Sequence, residues 1–210
     1  MALAHFRAIL TDFHHTGSVA PSSRAFARRM ASALRTPQRN RKVLEVGPGD
    51  GPITREIVEW LTPGDRFDVV EINEDLAAAL DRNVLQAARS RLPEVEINLI
   101  VGPVQEVALD GPYDAIISAL PLNNFEPELV VEILERMESL LADGGEMCFF
   151  EYAYLRQLKQ IFSTGSGRSR IRRISEIFDD FDKRPNTGRE FVLWNLPPAM
   201  MRRMTVNPRS

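Results

Sequence analysis

Val43-Leu44-Glu45-Val46-Gly47-Pro48-Gly49-Asp50-Gly51, followed by Pro52-Ile53-Thr54, is a short apolar run that gives way to three glycines spaced two apart. An apolar run bounded by glycine reads as a buried strand. Pro52 suits the first turn of the helix that follows, because its φ is fixed and its missing N–H would have no partner there. Glycines between a strand and a helix permit a sharp turn and a close approach of backbone to ligand. In a dinucleotide fingerprint the third glycine would fall at position 52, which is Pro52 here, and Glu45 precedes the loop. A pyrophosphate needs helix N–H groups without competing negative charge. A carboxylate beside the loop suits a cationic or ammonium-bearing ligand instead.

On both sides of this loop short apolar runs alternate with longer helical stretches, the pattern of a mostly parallel sheet covered by helices. Strands are predicted at residues 42–46, 67–71, 96–101, 113–119 and 146–153, with helices at 53–61, 74–91 and 127–141 and a turn at Asp143-Gly144-Gly145. Two further strands, 190–196 and 200–206, flank Pro197-Pro198 and suit an antiparallel hairpin at the end of the sheet. At the end of the second strand comes Val69-Val70-Glu71-Ile72-Asn73, with Glu71 placed 20 residues after Gly51. A carboxylate at that strand end can accept both hydroxyls of a ribose.

The 210-residue length fits one domain with a small N-terminal appendage, so residues 1–41 are read as N-terminal helices and 42–210 as the sheet domain. Apolar residues make up 44% and charged residues 26%, a composition that excludes a disordered chain. Cys148 is the only cysteine, which excludes an intrachain disulfide or a multi-cysteine metal site and points to a reducing compartment; no metal is expected. The N-terminal run is interrupted by His5, Arg7 and Asp12 and reads as a poor secretory leader. Within it Leu3, Phe6, Leu10 and Phe13 share one face of an amphipathic helix, fit either to lie in a membrane interface or to cover a ligand as a lid.

A formal net charge of −3 conceals a sorted distribution. Residues 1–44 carry eight basic residues and one acid, residues 45–153 six basic and 23 acidic, and residues 154–210 twelve basic and five acidic. Two basic flanks around an acidic centre predict a shared basic surface, provided the fold joins the flanks. The stretch 154–175 holds Arg156, Lys159, Arg168, Arg170, Arg172 and Arg173 without an acid. Such a stretch suits an anionic leaflet, with Arg168 or Arg170 gripping a phosphodiester, or else a solvated Gly/Ser-rich loop.

The glycine loop with Glu45 and the acid Glu71 resembles the S-adenosylmethionine site of class I methyltransferases over about residues 40–155. The resemblance implies that Glu45, Gly47, Gly49 and Gly51 surround the methionine part, that Glu71 holds the ribose, and that Ile72, Pro103, Val104 and Gln105 flank the adenine. Ser118 would face the methionine part. The fourth strand runs into Ser118-Ala119-Leu120-Pro121-Leu122-Asn123-Asn124-Phe125, where amino-methylating relatives carry Asn/Asp-Pro-Pro-Tyr/Phe. Leu120 stands where that motif has its polar residue, and Leu122 where it has its second proline. Leu120, Pro121 and Leu122 therefore predict an apolar acceptor pocket without an aromatic platform for a nucleobase.

The chain as a whole resembles the bacterial phospholipid N-methyltransferases. The residues that carry this are Thr16-Gly17-Ser18-Val19-Ala20-Pro21-Ser22-Ser23-Arg24, the glycine loop, Ser118–Asn123, and Val192-Leu193-Trp194-Asn195-Leu196-Pro197-Pro198-Ala199. What this implies is a Rossmann-like α/β fold with a seven-stranded sheet, and methyl transfer from S-adenosylmethionine, leaving S-adenosylhomocysteine, to the head-group amine of phosphatidylethanolamine or ornithine lipid. The implied partners are an anionic membrane surface and the aminolipid, with no DNA, and the implied place is the inner face of the cell membrane. The amine must lose a proton before it attacks, and His14, His15 and Tyr152 are candidates to take it, with Asn123 orienting the nitrogen. The competing readings are an RNA adenine methyltransferase, the less favoured partner class, and a cofactor-binding membrane module without turnover.

Overall fold

The computed structural model describes residues 24–35, 38, 40–152, 166–192 and 199–206. His14, His15, the N-terminal amphipathic pattern, the segment 16–23 and the Trp194 segment lie outside the described residues. Of Tyr152 and Arg168 only the backbone belongs to them.

In chain order the elements are α1 (Arg24–Met30) with a 3-10 turn (Ala31–Arg35), β1 (Lys42–Val46), α2 (Pro52–Val58), β2 (Arg66–Glu71), α3 (Glu74–Leu80), a π turn (Asp81–Leu85) and α4 (Gln86–Arg91). They continue with β3 (Glu96–Val101), β4 (Tyr113–Ser118), a 3-10 turn (Leu122–Asn124), α5 (Pro127–Ser139), β5 (Leu141–Tyr152), α6 (Ser166–Asp182), β6 (Thr187–Val192) and β7 (Ala199–Thr205). The seven strands form one sheet in the order β3-β2-β1-β4-β5-β7-β6. Strands β1 to β5 pair in parallel, whereas β7 runs antiparallel to both β5 and β6. This is the Rossmann-like methyltransferase arrangement with its C-terminal antiparallel pair.

Side chains alternate across the sheet and build a core on each face. Val43, Phe67, Val69 and Ile117 meet Phe26, Met30, Ile53 and Ile57 from α1 and α2 on one face. Leu44, Val70, Ile116 and Phe149 meet Val130, Ile133, Phe178 and Phe181 from α5 and α6 on the other. α1 is thus part of the core, with Phe26 set edge-on to Phe150 at 5.0 Å between ring centroids.

Three local expectations change. The predicted helix over 74–91 carries a π turn at Asp81–Leu85 between two α-helical pieces. The Asp143-Gly144-Gly145 turn is instead an irregularity inside a longer β5, where the pairing with β4 shifts register and Gly144 takes φ +79°. The Gly/Ser-rich basic stretch is helical from Ser166 onward, because Ile171, Ile174, Phe178 and Phe181 recur at helical spacing and are buried.

The fold does join the two basic flanks. Arg29 pairs with Glu190 at 2.6 Å, and the Arg203 guanidinium donates to the Arg29 carbonyl at 2.5 Å. It also sets the flanks against carboxylates. Arg24 and Arg28 pair with Glu56, Arg41 with Asp65, Arg172 with Glu176, Arg173 with Glu128, Arg184 with Glu138, and Arg203 with Glu146. Much of the positive charge of the flanks is therefore met by carboxylates of the same chain. Exposed pairs of this kind each contribute about 0–1 kcal/mol. The Arg41–Asp65 pair is different: it is buried, 2.6 Å long, and its guanidinium also donates to the carbonyls of Leu34 and Trp60.

Candidate active site at the strand ends

The loop after β1 needs its glycines. Gly47, Gly49 and Gly51 have φ of +70°, +55° and +78°, in the left-handed region that side chains disfavour. At Gly47 a Cβ would also stand 2.3 Å from Leu120 Cδ2, so the acceptor loop after β4 lies directly against the glycine loop. Gly51 precedes α2, whose first turn holds Pro52 as predicted.

Glu71 ends β2 and is 3% exposed. Its Oε2 accepts the Gly49 N–H at 3.2 Å, and its Oε1 accepts the Asn73 N–H at 2.9 Å. Asn73 caps α3 in turn, its Oδ1 accepting the N–H groups of Asp75 and Leu76. The acid is thereby fixed in the wall of a narrow cleft lined by Val46, Gly47, Glu71, Ile72, Pro103, Val104 and Leu120. Six of the residues expected in the site, Gly47, Glu71, Ile72, Pro103, Val104 and Leu120, meet there. A larger groove lies between α1, α2 and α4, but the charged side chains that line it, such as Arg24, Glu56, Glu59 and Arg91, pair with one another.

Glu45 is the penultimate residue of β1, two positions before Gly47. It shares its face of β1 with Val43, toward α2, and is fully buried beneath the loop. Among the described residues neither carboxylate oxygen meets hydrogen-bond geometry with any group, and the Thr54 hydroxyl has no partner either. Burial raises its pKa from 4.5 to about 8; nearby Thr54 lowers it in part, and the charge of Glu71 adds to the rise. At neutral pH it is therefore mostly protonated, not the fixed anion expected.

Ser118 is wholly buried, and its Oγ accepts the Leu120 N–H at 3.4 Å at the turn out of β4. Gln105 follows Val104, its Oε1 buried and without a partner among the described residues. Leu120 and Leu122 are 3% and 0% exposed, and Pro121 is buried between them. Asn123 is 8% exposed, and its Oδ1 has no partner among the described residues. Arg170 reaches this loop through the protein: its Nη1 donates to the Asn124 carbonyl at 3.0 Å and lies 3.7 Å from Glu126. That contact braces the acceptor loop from α6.

Sequence reasoning passed over Thr54 and Arg136. Thr54 beside Glu45 gave no signal. Arg136, whose guanidinium donates to the carbonyls of Val104 and Val107 at 3.4 Å and steadies the Pro103–Gln105 turn, is one charge among many on α5.

Three glycines in left-handed backbone conformation and an acid at the next strand end, beside a cleft lined by Ile72 and Val104, fit a ligand with a ribose and a flat base. Residues 43–145, from β1 into β5, match the family model described as a methyltransferase domain. The chain carries a class I S-adenosylmethionine-dependent methyltransferase domain. Its cofactor is S-adenosylmethionine and the spent form is S-adenosylhomocysteine. Among curated proteins, the ornithine lipid N-methyltransferase of Singulisphaera acidiphila is 28% identical over 149 residues, 69% of this chain and 76% of that protein. Among solved structures, an O-methyltransferase from Bacillus cereus in complex with S-adenosylhomocysteine is 16% identical with a TM-score of 0.63, covering 98% of this chain and 90% of that one. The O-methyltransferase TomG from Streptomyces achromogenes is 14% identical with a TM-score of 0.62 and the same coverage. At these identities the solved structures establish the fold alone.

Proposed function

We propose that this chain methylates the head-group amine of a membrane aminolipid, ornithine lipid or phosphatidylethanolamine, drawn from the inner face of the cell membrane. The observation that supports this most is the acceptor loop. Leu120 and Leu122 are buried against the glycine loop and the sheet, and Phe125, the aromatic residue of the loop, is wholly buried and offers no face on which a base can stack. An RNA adenine acceptor is disfavoured on the same ground. The 28% identity to an ornithine lipid N-methyltransferase points to the aminolipid class.

Glu71 is suited to accept the ribose hydroxyls, and Ile72 and Val104 to flank the adenine. When bound, S-adenosylmethionine supplies a methyl group on a sulfonium. The work of the chain is to hold a neutral amine in line with it. A lipid ammonium has a pKa well above neutrality, and the apolar surroundings of Leu120, Pro121 and Leu122 lower it by disfavouring charge. Arg170, by fixing the Asn124 carbonyl, keeps the acceptor loop in one geometry, which is where orientation enters the rate.

No helix among the described residues is long and apolar enough to cross a membrane. Peripheral contact through the amphipathic pattern of residues 3–13 suits a lipid substrate. The proposal is tested by expressing the chain in a bacterial host containing phosphatidylethanolamine and ornithine lipid and weighing the extracted lipids. N-methylated head groups are expected, dependent on Glu71, and an unchanged lipid profile counts against the proposal.

A further inference from the structure

The Val104 wall of the cleft is a single turn that leaves two of its carbonyls to an outside donor. Where the chain leaves β3, the Gly102 N–H donates to the Glu71 carbonyl at 3.0 Å, and the Pro103 carbonyl accepts the N–H groups of Glu106 and Val107 at 3.0 and 3.1 Å. Val107 folds back on Gly102, its Cγ1 2.6 Å from where a Cβ would stand. No helix follows Val107 before β4, so the carbonyls of Val104 and Val107 meet no N–H of a continuing helix.

The Arg136 guanidinium serves them instead. Its Nε donates to the Val104 carbonyl and its Nη2 to the Val107 carbonyl, both at 3.4 Å. The arm starts from a fixed base, because Ile133, Leu134 and Met137 of α5 are buried in the same apolar cluster as Ile72 and Val104, with Val107 packed against it. A guanidinium presents its donors as a planar fork, so one side chain can hold two carbonyls in a single orientation. Arg136 does not itself line the cleft, whereas Val104 and Ile72 do.

We propose that Arg136 is a positioning residue for the cofactor: by holding the Val104 and Val107 carbonyls it keeps the Val104 wall at the spacing an adenine ring requires. An apolar wall attracts a flat base only at van der Waals contact, and a gap of about 0.5–1 Å already forfeits a quarter to a half of the dispersion attraction. A turn without its fork is free to drift by that much. The proposal rests on the adenine lying against Ile72 and Val104 and needs no lipid acceptor.

The test is a double-variant cycle on the full chain, with S-adenosylhomocysteine titrated by calorimetry and the thermal transition recorded for every variant. Val104→Ala removes the wall, and Arg136→Ala removes the fork that holds it. Both bonds of the fork are long, so its loss is expected to weaken binding by about five- to tenfold rather than to abolish it. Made on top of Val104→Ala, Arg136→Ala should cost about twofold or less, because the side chain it positions is gone. A general loss of stability would not produce that coupling. Should Arg136→Ala misfold, Arg136→Lys, which keeps the charge and loses the fork, takes its place in the cycle. Unchanged affinity in the folded Arg136 variant, or the same loss from it with and without the Val104 side chain, overturns the proposal. Unchanged affinity in Val104→Ala overturns the placement of the adenine and the proposal with it. No lipid enters these titrations, so an unchanged lipid profile in the expression host counts against the aminolipid reading alone.

Discussion

The carboxylate of Glu71 accepts the backbone N–H of Gly49 at 3.2 Å, so the end of β2 and the glycine loop after β1 are tied through the group best placed to hold a ribose. Ribose hydroxyls arriving at that carboxylate compete with the glycine amide for Oε2. Cofactor binding is therefore expected to loosen this tie and let the loop move away from Glu71.

Glu71→Ala should weaken S-adenosylmethionine binding by roughly ten- to hundred-fold, the equivalent of one or two charge-assisted hydrogen bonds. Calorimetric titration measures this, with the thermal transition as the control for folding. Unchanged affinity would remove Glu71 from the site.

Glu45 makes stability depend on pH in a defined direction. Its folded pKa of about 8 lies above the ordinary 4.5, so the folded state binds this proton more tightly than the unfolded chain does. The contribution is fully present below pH 4.5 and is lost as pH rises to about 8. Glu45→Gln should flatten that fall and raise the melting temperature most above pH 8. An unaltered profile would mean that Glu45 is ionised in the fold.

Gly47→Ala places a methyl group against Leu120 at a φ of +70°. The backbone alone costs roughly 1–2 kcal/mol. Gly47→Ala combined with Leu120→Ala relieves the contact and leaves the backbone strain. The double variant should recover part of the lost stability in urea unfolding and none if the contact is immaterial.

Arg170→Ala separates two roles for one residue. A brace for the acceptor loop predicts a lower kcat with vesicle association intact; a phosphate grip, which the sequence suggested, predicts a raised KM for lipid and weaker association. The bond to the Asn124 carbonyl favours the first outcome. Removal of residues 1–15 should have the opposite signature, reducing sedimentation with anionic vesicles more than cofactor affinity.

What could be read from the sequence follows from what repeats or breaks a pattern. β1 and β3 fall on the residues predicted, because apolar runs bounded by glycine and polar residues leave little freedom of boundary. The glycine loop and Glu71 were legible because spacing alone carries them. α6 was hidden by Gly165, Ser166 and Gly167 at its start and by its density of arginine, although Ile171, Ile174, Phe178 and Phe181 already marked its buried face. The side-chain partners were not legible: Arg24 with Glu56 and Arg29 with Glu190 join residues 32 and 161 positions apart, and only the closed sheet brings them together. For the same reason charge counts by segment overstated a basic surface, and the protonation of Glu45 depends on an enclosure that no local pattern reveals.

The most direct measurement incubates the purified chain with methyl-labelled S-adenosylmethionine and anionic vesicles containing ornithine lipid or phosphatidylethanolamine, beside structured RNA as a second acceptor. Label in the N-methylated lipid, absent with Glu71→Ala and absent from RNA, is the predicted result. Label in RNA and none in either lipid, or cofactor binding without turnover on any of the three, would contradict it.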